Sequence, residues 1–136
     1  MKPLDIYFIH YLDYDVWEKH FITHNVIDEV NRAKKEGLIK YLGFSSHDSP
    51  EEVKKLIDTR LFDAVILPYN LINRTYEDTL QHAFEKGIGV IIMNPLAGGI
   101  LTDPCPDLHG LTEYFRDDIA GIALNYVLSN PNVHCA

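Results

Sequence analysis

Four short apolar runs, each separated from the next by a segment with helical spacing, constrain the fold of this chain more than any other feature. They cover residues 5–9, 39–44, 64–67 and 89–93. Each run has apolar residues on both alternating faces, which is typical of strands in a parallel sheet that is covered on both faces. The alternation therefore predicts an α/β fold of successive strand–helix units, with a fifth strand beginning at Val133.

The segments between the runs carry apolar residues three or four positions apart, which predicts amphipathic helices. Their ends are marked as well. Ser49 followed by Pro50 is typical of a helix start, and Gly37 and Gly87 each end a helix where a positive φ is expected. The apolar positions are Val26, Ile27, Val30 and Ala33; Val53, Leu56 and Ile57; Leu80, Ala83 and Phe84; and Leu111, Phe115, Ile119, Ile122, Ala123, Tyr126 and Val127.

Two architectures accept this series of units. With 136 residues, the chain is expected to form a single domain over residues 1–136, and that length suits a small doubly wound open sheet. An eight-fold βα barrel typically needs about 250 residues. The glycine-rich phosphate fingerprint of many open sheets is absent after the first run, however, because His10-Tyr11-Leu12-Asp13 follows it.

Charge and composition exclude several classes of protein. The net charge is −8, with 12 basic and 20 acidic residues, which argues against nucleic acid binding. The longest apolar run is far shorter than the roughly 20 residues of a membrane helix, and the first residues lack the apolar stretch of a signal peptide. We therefore expect a cytoplasmic protein with no membrane partner. Cys105 and Cys135 fit neither a disulfide framework nor a metal site.

Several motifs in register resemble the aldo-keto reductase family. They are DIYFIHYLD, KEGLIKYLGFSSHDSPEEVKKLIDTRLFDAVILPYNLINR, KGIGVIIMNPLAGGIL and ALNYVLSNPNV, which together reach from about Asp5 to Val133. The resemblance implies part of a (β/α)8 barrel, from the fourth βα unit to the start of the eighth strand. It also implies an enzyme that reduces aldehydes or ketones with NADP or NAD.

His10 ends the first apolar run, where a single histidine is more often a structural residue than a catalytic one. By similarity it matches the family's catalytic histidine, which polarises and orients the substrate carbonyl. Its place at the carboxyl end of a strand agrees with the rim where catalytic residues of barrels gather. The family's other catalytic residues, an Asp, a Tyr and a Lys, belong to earlier strands that this sequence does not contain, so little activity is expected from the chain alone.

The resemblance also implies a set of cofactor contacts. Ser45 matches the serine that binds the nicotinamide carboxamide, and Ser46 stands where many members have Asn. Met93 stands where many members stack an aromatic ring on the nicotinamide, and Ile66 replaces a Gln. Asn94-Pro95-Leu96-Ala97-Gly98-Gly99 resembles the loop beside the pyrophosphate, where glycines let backbone N–H groups approach an anion. The expected cofactor-binding residues are Ser45, Ser46, Met93, Pro95, Leu96, Gly98 and Gly99.

Other groupings of chemically active residues give weaker signals. His20 and His24 share a spacing of four near two acids in a segment that we expect to be a loop, and no metal site is predicted there. The pair His47-Asp48 is expected to serve loop and capping contacts. Tyr11, Tyr14 and Tyr69 could present a phenol near the rim, but no lysine that would activate them stands at an obvious strand end.

Three functional interpretations remain open from the sequence. The first is the C-terminal part of an NAD(P)H-dependent reductase of small carbonyl compounds. The second is a non-catalytic half-barrel that acts as a nucleotide-binding or regulatory interaction module, and the third is a truncated product without activity. Because a half-barrel exposes strand edges and an apolar inner face, we expect self-association or pairing with the missing N-terminal half.

Overall fold

The computed structural model describes residues 2–102, 109–115 and 118–136, which form a parallel sheet flanked by helices. The strands are β1 (Leu4–Ile9), β2 (Ile39–Ser45), β3 (Ala64–Pro68) and β4 (Gly89–Met93). The helices are α1 (Tyr14–Val16), α2 (Val26–Lys35), α3 (Pro50–Asp58), α4 (Glu77–Glu85), α5 (His109–Phe115) and α6 (Ile119–Leu128). A π-helix over Trp17–Ile22 continues α1, and a 3-10 segment covers Ala97–Thr102.

The strand order in the sheet is β1-β2-β3-β4, and every neighbouring pair is parallel. A doubly wound sheet reverses its strand order at a switch point, whereas this sheet continues in one direction as a barrel does. Beyond β4, Cys135 forms a parallel bridge with Ile91, and His134 N donates to Val90 O at 2.9 Å. The predicted α/β barrel portion and the predicted start of a further strand are therefore confirmed.

Predicted helix ends agree with the backbone. Ser49 Oγ accepts a hydrogen bond from Glu52 N at 3.3 Å, and Pro50 is the first residue of α3. Gly37 and Gly87 have φ values of 71° and 76°, a region that L side chains disfavour. These local signals mark the start of α3 and the ends of α2 and α4 without help from distant residues.

The main core lies between the helices and one face of the sheet. Alternate residues of β2, β3 and β4 point to this side, and so do the apolar residues of α3 and α4. The fully buried members of this cluster include Leu42, Phe44, Val65, Leu67, Val90, Val53, Leu56, Ile57 and Leu80. This packing holds the strands in register and so fixes where their carboxyl ends lie.

In the described part of the chain, the opposite face of the sheet, which would line the inside of a barrel, is exposed toward the amino ends of β1 and β2, whereas Ser45 and Ala64 on the same face are buried. We call it the inner face, and its exposed large residues are Leu4, Ile6 and Tyr41, with 54%, 41% and 52% of their surface accessible. Toward the amino ends of the strands, Ile6 and Tyr41 help to line a pocket of about 620 Å³. The expectation that all strands are buried on both faces is thus wrong for β1. Among the described residues its one partner strand is β2, and both of its faces are exposed, at Leu4 and Ile6 on the inner face and at Tyr7 on the other.

Two further expectations need correction. Residues 14–22 are helical where the sequence predicted a loop, because Asp13 caps α1 by accepting from Val16 N at 2.7 Å and Trp17 packs into the core. The apolar positions from 111 to 127 belong to two helices, α5 and α6, and Asp118 caps the second through Gly121 N. Cys135 is exposed, and Cys105 lies outside the described residues.

No helix among the described residues is long and apolar enough to cross a membrane.

Candidate functional site

The carboxyl ends of the four strands lie at one edge of the sheet because the strands are parallel. The residues that follow these ends are His10 after β1, Ser46 after β2, Tyr69 after β3 and Asn94 after β4. We call this edge the rim. The structure therefore brings the predicted catalytic histidine to the same edge as the predicted cofactor residues.

His10 stands in a tight turn that leads out of β1. Tyr11 has a left-handed backbone with φ 54°, and Leu12 N donates to Ser45 O at 2.8 Å. The Nδ1 atom of His10 lies 3.4 Å from Ser45 Oγ. The His10 side chain is exposed, so its other ring nitrogen remains accessible to a ligand.

Ser45 and Ser46 are both buried but face opposite sides of the sheet. Ser45, which is 8% exposed, shares the inner face with Gly43, and its Oγ accepts from Tyr11 N at 2.9 Å. Ser46 is fully buried, and its Oγ accepts from Asp48 N at 3.1 Å within a turn. Ser45 can thus contact a ligand on the inner face, whereas the Ser46 hydroxyl holds the turn after β2.

Asp48 organises the loop behind this turn. Its carboxylate accepts from Tyr14 N at 3.0 Å and from Ser49 N at 2.7 Å, and its carbonyl accepts from the Tyr76 hydroxyl. Burial, with Asp48 and Tyr11 nearby, raises the pKa of Tyr76. The contacts of Asp48 are therefore those of a loop and capping residue. The neighbouring His47 ring instead packs on Tyr11, with 5.3 Å between centroids.

The turn after β4 has a tightly wound backbone. Asn94, Ala97, Gly98 and Gly99 all have positive φ, and a Cβ added at either glycine would meet open space. Within this turn Ala97 N donates to Asn94 O, and Gly99 N donates to Leu96 O, each at 3.0 Å. Among the described residues nothing accepts from the N–H groups of Leu96 and Gly98, so these are the donors that an anion could reach.

Asn70 is a rim residue that the sequence motifs did not indicate. It is 3% exposed; its Nδ2 donates to Asn94 O at 3.0 Å, and its Oδ1 accepts from Ile72 N and Asn73 N at 3.1 and 2.8 Å. Asn70 thereby joins the loop after β3 to the turn after β4. The signal in the sequence was a polar residue two positions after a buried strand, in the stretch LPYN.

Met93 ends β4 opposite Pro68 and is partly buried, with Pro95 and Leu96 following it. The side chain of Met93 lies on the inner face, as that of Ser45 does. Three strand spacings of about 4.8 Å place β1 roughly 14 Å from β4 across the sheet. A ligand that touches both His10 and Gly98 must therefore be extended.

Two of the three tyrosines considered as proton donors, Tyr69 and Tyr14, have other partners, and the third, Tyr11, packs its ring on His47. Tyr69 is buried, with its hydroxyl 3.1 Å from Glu77 Oε1 and 3.0 Å from the Tyr126 hydroxyl, and burial raises its pKa. Lys55 Nζ lies 4.9 Å from the centroid of the Tyr14 ring, a neighbour that the sequence did not reveal. A hydrogen bond with Glu18 nevertheless raises the pKa of Tyr14. Neither phenol has the lowered pKa of an activated acid.

His20 lies on the π-helix Trp17–Ile22 and His24 in the turn that leads into α2, with ring centroids 6.0 Å apart. The Nδ1 atom of His24 lies 3.0 Å from His20 O, which occupies that nitrogen. Within residues 2–102, 109–115 and 118–136, no three His, Cys, Asp or Glu side chains are placed to share a metal ion.

The donors at the rim fit a nicotinamide dinucleotide in part. The Ser45 hydroxyl, the apolar Met93 and two free N–H groups after β4 are of the kinds that bind an amide, a ring and a phosphate. The Ser46 hydroxyl does not fit this set because it faces the helices. Ile66, half-buried beside Ser45 in the sheet, offers only an apolar side chain.

Comparison with known proteins gives a consistent result. By sequence, residues 1–135 match the Aldo/keto reductase family. An uncharacterized oxidoreductase of Schizosaccharomyces pombe is 32% identical over 124 residues, which are 88% of this chain and 40% of that protein. An L-glyceraldehyde 3-phosphate reductase of Escherichia coli K12 is 33% identical over 103 residues, covering 65% of this chain and 29% of the relative.

Solved structures agree on the fold. An aldo-keto reductase of Bacillus halodurans in its holo form superposes with a TM-score of 0.78 at 23% identity, covering 99% of this chain and 48% of that one. A glycerol dehydrogenase of Gluconobacter oxydans gives 0.75 at 21% identity, covering 99% and 49%. The chain therefore spans about half the length of these structures and two fifths of the S. pombe relative.

Proposed function

Since this chain belongs to the aldo/keto reductase family, we propose that it is the portion of an NAD(P)H-dependent carbonyl reductase that carries the catalytic histidine and one wall of the nicotinamide site. The observation that carries the proposal is the position of His10 beside Ser45 at the rim, where the turn with Gly98 and Gly99 also lies. The resemblance supplies the roles, and the parallel sheet supports them by placing these residues at one edge.

In this proposal His10 binds and orients the substrate. An imidazole N–H at the exposed ring nitrogen donates to the carbonyl oxygen, which polarises the carbonyl and holds it over the inner face. When bound, NAD(P)H supplies the hydride. The exposure of His10 supports this role, because a substrate can reach the residue from solvent.

The same proposal assigns the cofactor contacts. Ser45 and Met93 would lie against the nicotinamide, and the turn containing Pro95, Leu96, Gly98 and Gly99 would bind the pyrophosphate through its N–H groups. Ser46 supports the site indirectly by holding the turn after β2. NADPH and NADH are compared as cofactors in the complementation experiment.

Small carbonyl compounds are the proposed substrates. One relative is an L-glyceraldehyde 3-phosphate reductase, and one similar structure is a glycerol dehydrogenase. Glyceraldehyde is therefore the first aldehyde to test, with a nitrobenzaldehyde as an unselective second substrate. We expect this activity in the cytoplasm.

A front half of the barrel is the proposed partner. The family's catalytic Asp, Tyr and Lys are not in this sequence, and the exposed apolar residues of β1 offer an unpaired edge and an open inner face. A general acid contributes about 10² to 10⁴ in rate, so reduction requires a chain that supplies it.

The test is complementation. This chain is mixed with the N-terminal half of a family member that carries the Asp, Tyr and Lys, and oxidation of NADPH and NADH is followed with each aldehyde. We expect oxidation only from the mixture, and His10→Gln should lower the rate at least about 10²-fold. His24→Gln, in the turn before α2 and away from the rim, is the matched control and should keep the rate.

A second candidate function, a non-catalytic interaction module, is favoured by the exposed inner face alone. If the mixture forms a complex but shows no oxidation, the catalytic proposal fails and the module is supported. If His10→Gln leaves the rate of an active mixture unchanged, the proposed role of His10 fails. Ile6→Lys should weaken pairing or self-association about tenfold, whereas Leu128→Lys, at an exposed apolar site on α6, should not.

A further inference from the structure

We propose that the Ser45 hydroxyl is a positioning residue for His10: it donates its proton to Nδ1 and thereby holds the ring in the tautomer that carries its proton on Nε2. The inference deepens the proposed function, and it rests on that function for the statement that the His10 ring binds a substrate carbonyl. It assigns Ser45 a task within the chain, in addition to the cofactor contact that family resemblance implies.

The geometry around Ser45 is defined by two consecutive residues after β1. Tyr11 N lies 2.9 Å from Ser45 Oγ, and Leu12 N lies 2.8 Å from Ser45 O. These bonds fold the chain back over the end of β2 and require the left-handed backbone at Tyr11. The His10 ring is consequently held with Nδ1 at 3.4 Å from the same hydroxyl oxygen.

The direction of the His10 contact follows from counting protons. A backbone N–H can only donate, so the Ser45 oxygen accepts from Tyr11. The hydroxyl has one proton of its own, and among the described residues His10 Nδ1 is the acceptor within reach. If Nδ1 of His10 carried a proton instead, the Ser45 oxygen would accept hydrogen bonds from both Tyr11 N and His10 Nδ1. The buried hydroxyl proton of Ser45 would then have no acceptor among the described residues, which is unfavourable.

Ser46 shows why the adjacent serine cannot take this role. Its oxygen accepts from Asp48 N at 3.1 Å, on the other side of the sheet from His10. The consequence for His10 is chemical: with Nδ1 accepting from Ser45, the proton on Nε2 is directed away from the sheet, where it can donate to the oxygen of a carbonyl compound.

Two other histidines provide internal references for the two tautomers. His24 Nδ1 lies 3.0 Å from the carbonyl oxygen of His20, which can only accept, so that nitrogen must carry a proton. His134 Nδ1 lies 3.0 Å from Val90 N, which can only donate, so that nitrogen must be bare and the proton is on Nε2. The proposal therefore states that His10 resembles His134 and differs from His24.

The experiment is a long-range ¹H–¹⁵N correlation spectrum of the full ¹⁵N-labelled chain, recorded about two pH units above the ordinary imidazole pKa of about 6.5. Neither cofactor nor substrate is added. We expect the His10 pattern of the Nε2–H form, as for His134. In Ser45→Ala the ratio of the Nε2–H form to the Nδ1–H form should fall about fivefold, the factor expected for one lost hydrogen bond.

Ser45→Thr is the matched variant because it keeps the hydroxyl, and it should retain the wild-type pattern. If Ser45→Ala does not fold, the wild-type and Ser45→Thr spectra decide the question. An Nδ1–H pattern for His10 in the wild type overturns the proposal, and so does an Ala variant with an unchanged ratio.

The test of the His10 tautomer is independent of the test of the proposed reductase function. The tautomer is read from the ring nitrogens of this chain alone, whereas carbonyl reduction is read from the complemented barrel. A complemented barrel that is active with an Nδ1–H His10 overturns only the positioning role of Ser45. An inactive barrel with an Nε2–H His10 overturns only the reductase assignment.

Discussion

β1 and β3 have the same kind of sequence but opposite surroundings. In β3, four of the five residues are buried, because β2 and β4 pair with it and the helices cover one face. In β1, the first four residues are exposed and only the last two are partly buried. The comparison shows that an apolar run predicts a strand that can be buried, whereas the neighbouring strands and helices determine how much of it is buried.

A matched pair of leucines tests this comparison with the largest effect. Leu67 in β3 is fully buried, and Leu4 in β1 is 54% exposed. Leu67→Ala should lower the free energy of unfolding by about 2–5 kcal/mol, because it leaves a cavity in the core. Leu4→Ala should cost less than about 1 kcal/mol.

Urea denaturation of both variants measures the difference. Equal losses would show that β1 is covered in solution, for example by a second chain on the inner face, and would break the contrast between the two strands.

Gly43 offers a second test, because it lies where β1 meets β2. A Cβ at this position would collide with the Phe8 ring and lie 3.0 Å from Ala64 O. Gly43→Ala should destabilise the chain by about 1–3 kcal/mol through overpacking. In a Phe8→Ala background the added cost should be smaller, because the collision with the ring is gone.

A double-mutant cycle of Gly43→Ala and Phe8→Ala in urea gives this coupling. Additive effects would mean that Phe8 already turns away from β2, and that β1 is held by its backbone bonds alone.

The smallest expected effect on stability is at Glu77, which contacts the Tyr69 hydroxyl just after the interior strand β3. The hydrogen bond from Arg74, against the opposing effect of burial, lowers the Glu77 pKa below 4.5, and the Tyr69 hydroxyl at the end of β3 also contributes. Because the folded pKa is the lower one, this stabilisation is present above pH 4.5 and is lost as the pH falls through the folded value.

We therefore expect Glu77→Gln to lose a small amount of stability near neutral pH and to approach the wild type in acid. Glu51→Gln, in the first turn of α3, is the matched control. Thermal denaturation from pH 7 to pH 3 measures the difference, and a gap that widens in acid would contradict the assignment.

Much of the fold could be predicted from local patterns. The expected strands 39–44 and 64–67 match β2 and β3 to within one residue, and β4 matches its expected range. Gly37 and Gly87 have the positive φ that was expected. These features depend on neighbouring residues in the chain, and the barrel assignment came from family resemblance.

The site was predictable only as a set of separate residues. His10 and Ser45 could each be named, but their contact joins residues 35 positions apart and depends on the register of β1 with β2. Asn70 was not singled out, because its role as a link between two loops appears only when β3 and β4 lie side by side. The segment around His20 and His24 was expected to be a loop, and no regular apolar spacing marks the helical turns that the structure has over residues 14–22.

The sequence by itself determined the order of strands and helices, the turns that separate them and the residue types available at each strand end. These follow from side-chain periodicity and backbone preference, which act over a few residues. The tertiary structure decided which of these residues meet, that Ser45 rather than Ser46 faces His10, and that β1 remains exposed. These contacts and exposures depend on the register of the strands and on which surfaces pack against another element. Both are determined by interactions between residues that are distant in the sequence.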